Sequence, residues 1–271
     1  GIDLRDGLRA RLGDVPIELA MRYGKPSIAQ GLDALHDQGC DRILVAPLYP
    51  QYAGATTAST FDAVAGALLE LRWIPELRTI HQYHDDPAYI RALAASVREL
   101  WDAEGPAQRL LMSFHGIPKR YFLAGDPYYC HCAKTSRLLA EELDLAPEKW
   151  QLTFQSRFGR EEWIQPYTDE TLESWGREKL ESADVICPGF SADCLETVDE
   201  IDLENREVFE HAGGGRFRYI PALNERPDHL DALADLVARN LSGWAGEWDA
   251  DAAQSEAEAT RRRADEQRPN V

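Results

Sequence analysis

Short apolar runs alternate along the chain with longer stretches whose apolar residues recur at helical spacing. The runs are VPIELAM (15–21), RILVAPLY (42–49), LRTIHQY (77–83), RLLMSFH (109–115), WQLTFQS (150–156), ADVICPG (183–189) and FRYIPAL (217–223). Each has strand length and is rich in β-branched or aromatic side chains. Helical patterns lie between them, near 26–38, 57–72, 87–103, 132–144, 168–181, 192–208 and 227–242. Strands alternating with helices predict βαβ units and an α/β fold with a mostly parallel, doubly wound sheet. Ligands of such sheets bind beyond the carboxyl ends of the strands. Those ends read MRYGKPS, PLYPQY, SFHGIP, FQSRFG and CPGFSADCLE.

Composition narrows the chemistry. The chain has 271 residues, is 44% hydrophobic and 28% charged, and can bury a substantial core. No apolar run approaches the roughly 18 residues needed to cross a bilayer. The first twenty residues are charged throughout and hold no signal-peptide core, so a cytoplasmic protein is expected. A formal charge of −18 argues against nucleic acid, whose binding draws on clustered Lys and Arg, and favours metal cations or small molecules as partners. No GxGxxG or GxxxxGK[ST] follows a strand, which leaves a dinucleotide or P-loop site without support. Residues 246–271 read as a polar, disordered tail.

Four groups of residues could carry chemistry. His115 ends a strand before Gly116 and Pro118, where an imidazole can act as a general base or stay a hydrogen-bonded structural residue. Asp193, Glu196, Glu200 and Glu204 step along one helical face; Asp193 could cap the helix with Glu196 in the capping-box position. That leaves Glu200 and Glu204 as either a solvated acidic face or a path for a hard cation. Cys130 and Cys132 are the only close cysteine pair among five scattered thiols, fewer than the four ligands a zinc or iron–sulfur site wants. Aromatics at 49–52, 126–130, Trp163 and Tyr167 are either packing or a platform for a flat ligand, and Arg22 beside Tyr23 could meet an acidic substrate.

The strings SFHGIPKRYFLAGDPYYC, WQLTFQSRFGREEWIQPYTDETL and PGFSADCLETVDEIDLE resemble, in order and spacing, the blocks of ferrochelatase, which inserts ferrous iron into a porphyrin late in haem synthesis. AMRYGKPSI and LYPQYAGATTAST are similar to its N-terminal half, so the resemblance covers roughly residues 15–242. It implies a chelatase-like fold of two Rossmann-like lobes with a porphyrin cleft between them: a first lobe over 1–112, and a second over 113–245 carrying His115 and Glu196. It places His115 and Glu196 as facing catalytic and metal-binding residues, extends the metal path to Glu200 and Glu204, and puts a wide π-type turn in that helix. Arg22, Tyr23, Tyr49 and Trp163 match positions that line the porphyrin pocket or its approach. Fe²⁺ is then a substrate, no cofactor is required, and Cys130 and Cys132 are the candidates for a [2Fe–2S] cluster.

The block SFHGIP and the GDPYYCHC segment resemble the proteobacterial branch, so protoporphyrin IX is the expected substrate, with a coproporphyrin ferrochelatase as the alternative. The YPQY and QSRFG blocks argue against a cobalt or nickel chelatase for a sirohydrochlorin-type ring. From another class, a non-catalytic haem or iron–sulfur binding protein would use Cys130 and Cys132. In the family a strand, a helical lip over the porphyrin and a GSPL-like segment come before the VPIELAM counterpart; here only GIDLRDGLRARLGD does, and lowered stability and weak porphyrin binding are expected of a chain without them. Oligomeric state and peripheral membrane association are left open by the sequence.

Overall fold

The structure is a computed structural model that describes residues 1–244 and 250–266. In chain order its elements are α1 (Ile2–Leu12), α2 (Ile28–Asp37), β1 (Arg42–Val45), a π-helical turn at Gly54–Ala58, α3 (Ser59–Leu68), β2 (Glu76–Thr79), α4 (Pro87–Glu104), β3 (Arg109–His115), α5 (Lys119–Leu123), α6 (Tyr128–Glu142) and a 3₁₀ turn at Pro147–Lys149. Then follow β4 (Trp150–Gln155), α7 (Thr168–Arg177), β5 (Ser182–Ile186), α8 (Leu195–Thr197), a π-helix at Val198–Asn205, α9 (Arg206–His211), β6 (Arg216–Ile220), α10 (Pro227–Asn240) and α11 (Ala250–Glu266). Among the described residues no helix is long and apolar enough to cross a membrane.

The chain divides into two compact units, one of Gly1–Ala46, Ser59–Ile80 and Leu233–Val271, the other of Pro47–Ala58 and His81–Ala232. This differs from the division expected at residue 112. Residues 47–58 join the second unit because Gln51 Nε2 donates to Thr135 (3.0 Å), Tyr52 N to His131 Nδ1 (3.3 Å) and Gly54 N to Asp126 (2.7 Å). Residues 81–112 join it because α4 packs on α6 and β3 belongs to its sheet.

In the first unit β1 and β2 pair in parallel, Arg42 opposite Glu76 and Val45 opposite Thr79. Ser27 and Gln30 close a reciprocal capping box at the start of α2. That helix then buries Leu32 against Ile43, Val64 and Leu68. Arg78 stacks on Trp244 (4.0 Å) and donates to Asn240 O and Ser242 O, tying the end of α10 to β2.

The second unit holds a four-stranded, all-parallel sheet in the order β4-β3-β5-β6. Leu110, Leu111, Met112, Ser113 and Phe114 are all buried, as expected of a central strand covered on both faces. Several strands stop short of their apolar runs for one reason: Pro47, Pro188 and Pro221 follow within two residues of β1, β5 and β6, and proline has no N–H for the ladder.

Two expectations need correcting. Residues 15–21 form no strand; only Met21 makes an isolated bridge, to Ser27, and the Ile17 carbonyl accepts from Arg9 Nε (2.9 Å) instead of a ladder partner. Alternating residues permit an extended chain, but a strand also needs a neighbour. The tail expected to be disordered forms α11 over Ala250–Glu266, where Ala, Glu and Arg are strong helix formers; 246–249 and 267–271 lie outside the described residues.

One packing detail in the second unit yields a test. His84 is only 3% exposed, stacks on His131 with ring centroids 3.9 Å apart, and its Nδ1 has no hydrogen-bond partner among the described residues. Burial, then the neighbouring His131, push its pKa down to about 4 from an ordinary 6.5. The folded state binds this proton less readily than the unfolded chain, so stability is full above pH 6.5 and falls as pH drops toward 4. His84→Phe should flatten the melting temperature across that window in calorimetry, while the wild type declines; parallel curves would rule out His84 as the source.

Candidate functional site

β3 and β4 run in register, so His115 and Gln155 lie opposite each other at their carboxyl ends. The chain then turns through Gly116, whose N–H donates to the Gln155 carbonyl (2.8 Å). A Cβ at Gly116 would meet that carbonyl and Trp163 Cε3 at 3.0 Å each, so the close approach requires glycine. His115 Nδ1 sits 2.7 Å from the Gly116 carbonyl. A carbonyl can only accept, which assigns the proton to Nδ1 and leaves Nε2 with a lone pair.

Behind His115 stands Trp163, with ring centroids 6.4 Å apart, and Trp163 is nearly fully buried. It therefore offers little surface of its own beside His115. The exposed aromatic is Phe158, 72% accessible, 4.8 Å from the Trp163 ring, and with its carbonyl held by Trp163 Nε1 at 3.0 Å.

β5 neighbours β3 on its other edge, and the segment after it carries the acids. Thr197, Ile201, Asn205 and Phe209 are buried at intervals of four, and Glu196, Glu200 and Glu204 each precede one of them on the more accessible side. In a regular α-helix a row spaced by four drifts about 40° per step. The wider π turns of Val198–Asn205 rotate less per residue and reverse the sense of that drift, and the buried row holds from Thr197 to Phe209.

The acids are not equivalent. Asp193 is not the helix cap; Cys194 is, in a reciprocal box with Thr197. Asp193 instead accepts from Tyr219 OH (2.7 Å), Asn224 Nδ2 (2.8 Å), Thr197 Oγ1 (3.0 Å) and Ala222 N (3.1 Å). Burial alone would raise its pKa, but these donors outweigh it and hold the carboxyl below its usual range. Glu196 accepts from the Cys194 thiol (2.9 Å); that bond, its own backbone N–H and the nearby His115 keep it ionised below the usual range despite burial. Glu200 accepts from Ser156 N (2.6 Å), Ser156 Oγ and Gln155 Nε2 (3.3 Å). Ser156 reaches it from a left-handed backbone, φ 62°. Glu204 is exposed. Among the described residues no three His, Cys, Asp or Glu side chains converge into one ligand set, so the acids form a succession rather than a chelate.

The other expected residues are described by the unit that holds them. Arg22 and Tyr23 belong to the first unit, where Arg22 Nε donates to Ser59 O (2.9 Å) and Oγ (2.8 Å) and its guanidinium lies 4.5 Å from the ring centre of the exposed Tyr23. Tyr49, in the second unit, is 36% exposed. Cys130 and Cys132 sit two residues apart on α6, on opposite sides of the helix, one exposed and one in the core. Burial raises the Cys132 thiol well above its usual pKa, away from the thiolate that binds metal, so this pair does not fit an iron–sulfur cluster. Gln155, Ser156, Cys194 and Phe158 escaped the sequence reading, although the QS pair closing an apolar strand was a visible break in its pattern.

The family model for ferrochelatase matches residues 2–241. A ferrochelatase of Thioalkalivibrio sulfidiphilus is 59% identical over 96% of this chain and 72% of its own length. Those of Nitrosococcus oceani and Hydrogenovibrio crunogenus are 54% and 56% identical, each over 90% of this chain and over 66% and 65% of their own lengths. The chain thus spans about two thirds of the relatives it matches. Among solved structures, SirB from Bacillus subtilis with Fe³⁺ superimposes with TM-score 0.68 at 15% identity, over 92% of this chain and 91% of SirB. CbiX gives 0.59 at 13% identity, over 87% and 88% of the two chains. At such identities the likeness is one of fold.

The locked state of Asp193 predicts a structural role. Asp193→Ala leaves four donors without their acceptor and should cost about 2–3 kcal/mol in urea unfolding. Its folded pKa is lowered, so the contribution is present at neutral pH and lost as pH falls below the ordinary carboxylate range of about 4. An unchanged denaturation midpoint at pH 7 would remove this assignment.

Proposed function

The chain belongs to the ferrochelatase family, and from that premise we propose that it inserts Fe²⁺ into protoporphyrin IX to form haem, with His115 taking porphyrin protons and Glu196, Glu200 and Glu204 handling the metal. The carrying observation is the pairing of an imidazole with an open Nε2 at the end of β3 and an ionised carboxylate, Glu196, in the short helix that follows the adjacent parallel β5.

Two pyrrole N–H protons must leave before a metal can sit in the ring. Nε2 of His115, which its Gly116 hydrogen bond leaves available, takes one proton at a time and passes the first to the Glu196 carboxylate or to solvent before accepting the second. The imidazolium formed there is stabilised by the negative Glu196, whose own pKa already registers the attraction. A hard cation prefers oxygen ligands, and three carboxylates of rising exposure from Glu196 and Glu200 out to Glu204 offer it successive partial shells. Each exchanges one carboxylate for the next without a site deep enough to trap the ion. Phe158 supports the reading as an exposed apolar surface packed on Trp163, whose ring also lies by His115, and suits a flat macrocycle. Arg22, Tyr23 and Tyr49 are assigned to the porphyrin by family position alone.

Anaerobic metallation followed by loss of porphyrin fluorescence tests this. His115→Ala should lower kcat/KM by about 10²–10⁴ with the fold intact by circular dichroism. Turnover like that of the wild type would remove His115 as the proton acceptor. Comparing protoporphyrin IX with coproporphyrin III under the same conditions decides the substrate: a higher kcat/KM for coproporphyrin would favour the alternative branch.

Glu204→Gln preserves size and deletes charge at the exposed end of the row. It should raise the KM for Fe²⁺ and leave porphyrin affinity, measured by fluorescence quenching, unchanged. An unaltered KM would make Glu204 part of a solvated face only.

A further inference from the structure

We infer that Gln155 is the positioning residue that fixes the proton acceptor and the carboxylates relative to one another, an inference resting on the reading of His115 and the acid row as the metal-insertion site. Its main chain and its side chain serve the two sides separately. The Gln155 carbonyl holds Gly116 N at 2.8 Å, and Gly116 in turn orients His115 through its own carbonyl. The side-chain Nε2 donates to the Glu196 carbonyl at 2.6 Å and to the Glu200 carboxylate at 3.3 Å.

The amide has one orientation that fits. Both groups facing Nε2 are acceptors only, whereas Oε1 receives the Ser113 hydroxyl (2.8 Å) and the Cys187 thiol (3.6 Å). Ser113 Oγ also lies 2.8 Å from Thr168 Oγ1, which lies 2.9 Å from Thr153 Oγ1, so the three hydroxyls form one buried file. Ser113, Thr153, Gln155 and Thr168 are all buried. Buried polar chains of this kind are costly unless satisfied, and an apolar core would be simpler. The chain ends on a catalytic candidate's main chain and a metal candidate's carboxylate. Gln155 lies beneath them and is only 3% exposed, so it acts through Glu196 and Glu200 rather than on the substrate.

Gln155→Met keeps the length and removes both donors. Metallation should show a loss of about 10–100-fold in kcat/KM for Fe²⁺, carried mainly by KM, as outer-shell partners of metal ligands do. Porphyrin affinity by fluorescence quenching should hold. Gln155→Glu keeps the acceptor for Ser113 but turns a second oxygen toward the Glu196 carbonyl and Glu200, and should lose at least as much. Hydrogen exchange of backbone amides over residues 195–205, read by mass spectrometry without metal or porphyrin, should accelerate in both variants. Wild-type kinetics in both variants would overturn the inference, as would equal losses of Fe²⁺ and porphyrin affinity with a lowered melting temperature. Should the wild-type chain metallate neither porphyrin, the functional reading fails on its own, and the exchange arm still decides: unchanged protection over 195–205 would show that Gln155 anchors nothing.

Discussion

The parallel pairing of β3 with β4 on one edge and β5 on the other is the constraint from which the site follows. Parallel strands end on the same side of a sheet, so His115, Gln155 and the segment after Ile186 emerge together. Had β4 or β5 run the other way, its polar terminus would lie at the far end of the sheet. The continuous burial of Leu110 to Phe114 fixes this strand at the centre, and the hydroxyls of Ser113, Thr153 and Thr168 are the one polar layer it carries toward the site. The core that holds the sheet also sets the height at which the chemistry is presented.

Like charges one turn apart repel by roughly 0.2–0.5 kcal/mol per pair, so a file of acids needs an account. The second unit resolves it by giving each carboxylate a different environment. Asp193 is surrounded by neutral donors. Glu196 is bonded to a thiol and lies near an imidazole. Glu200 is drawn toward the end of β4, and Glu204 faces water. The side chains of Asp193 and Glu200 are therefore the most tightly held, Glu196 less so, and Glu204 at the exposed end the least.

Much of this was legible in the residues. β3, β4, β5 and β6 follow from apolar runs, because a buried parallel strand leaves a near-continuous signature, and His115 and the acids stand out as polar groups just past such runs. Residues 15–21 carry a similar signature and form no strand, since pairing belongs to two segments and the periodicity of one cannot report it. Asp193 has the spacing of a cap, yet Tyr219, Ala222 and Asn224, distant in sequence, claim its oxygens. The proximity of Cys130 and Cys132 in sequence is the opposite case: a helix turns neighbours two apart to opposite sides. Gln155 was invisible as chemistry because an uncharged amide acquires its meaning only from the acceptors placed around it.

Two local conformations at the site run against backbone preference: the π turns of Val198–Asn205 and the left-handed Ser156. A non-glycine residue in the left-handed region costs of order 1–3 kcal/mol, and π turns are rare outside functional segments. Both converge on Glu200. The left-handed turn aims Ser156 N at one carboxylate oxygen while Ser156 Oγ and Gln155 Nε2 reach the other, and hydrogen bonds to a charged acceptor contribute roughly 1.5–3 kcal/mol each. The strain is thus offset where it arises, without drawing on the core. An ordinary α-helix after β5 would free the backbone of strain, but a row spaced by four would then move steadily round it in one sense, about 40° per step. The departure from regular structure and the anchoring of Glu200 at the end of β4 therefore belong together.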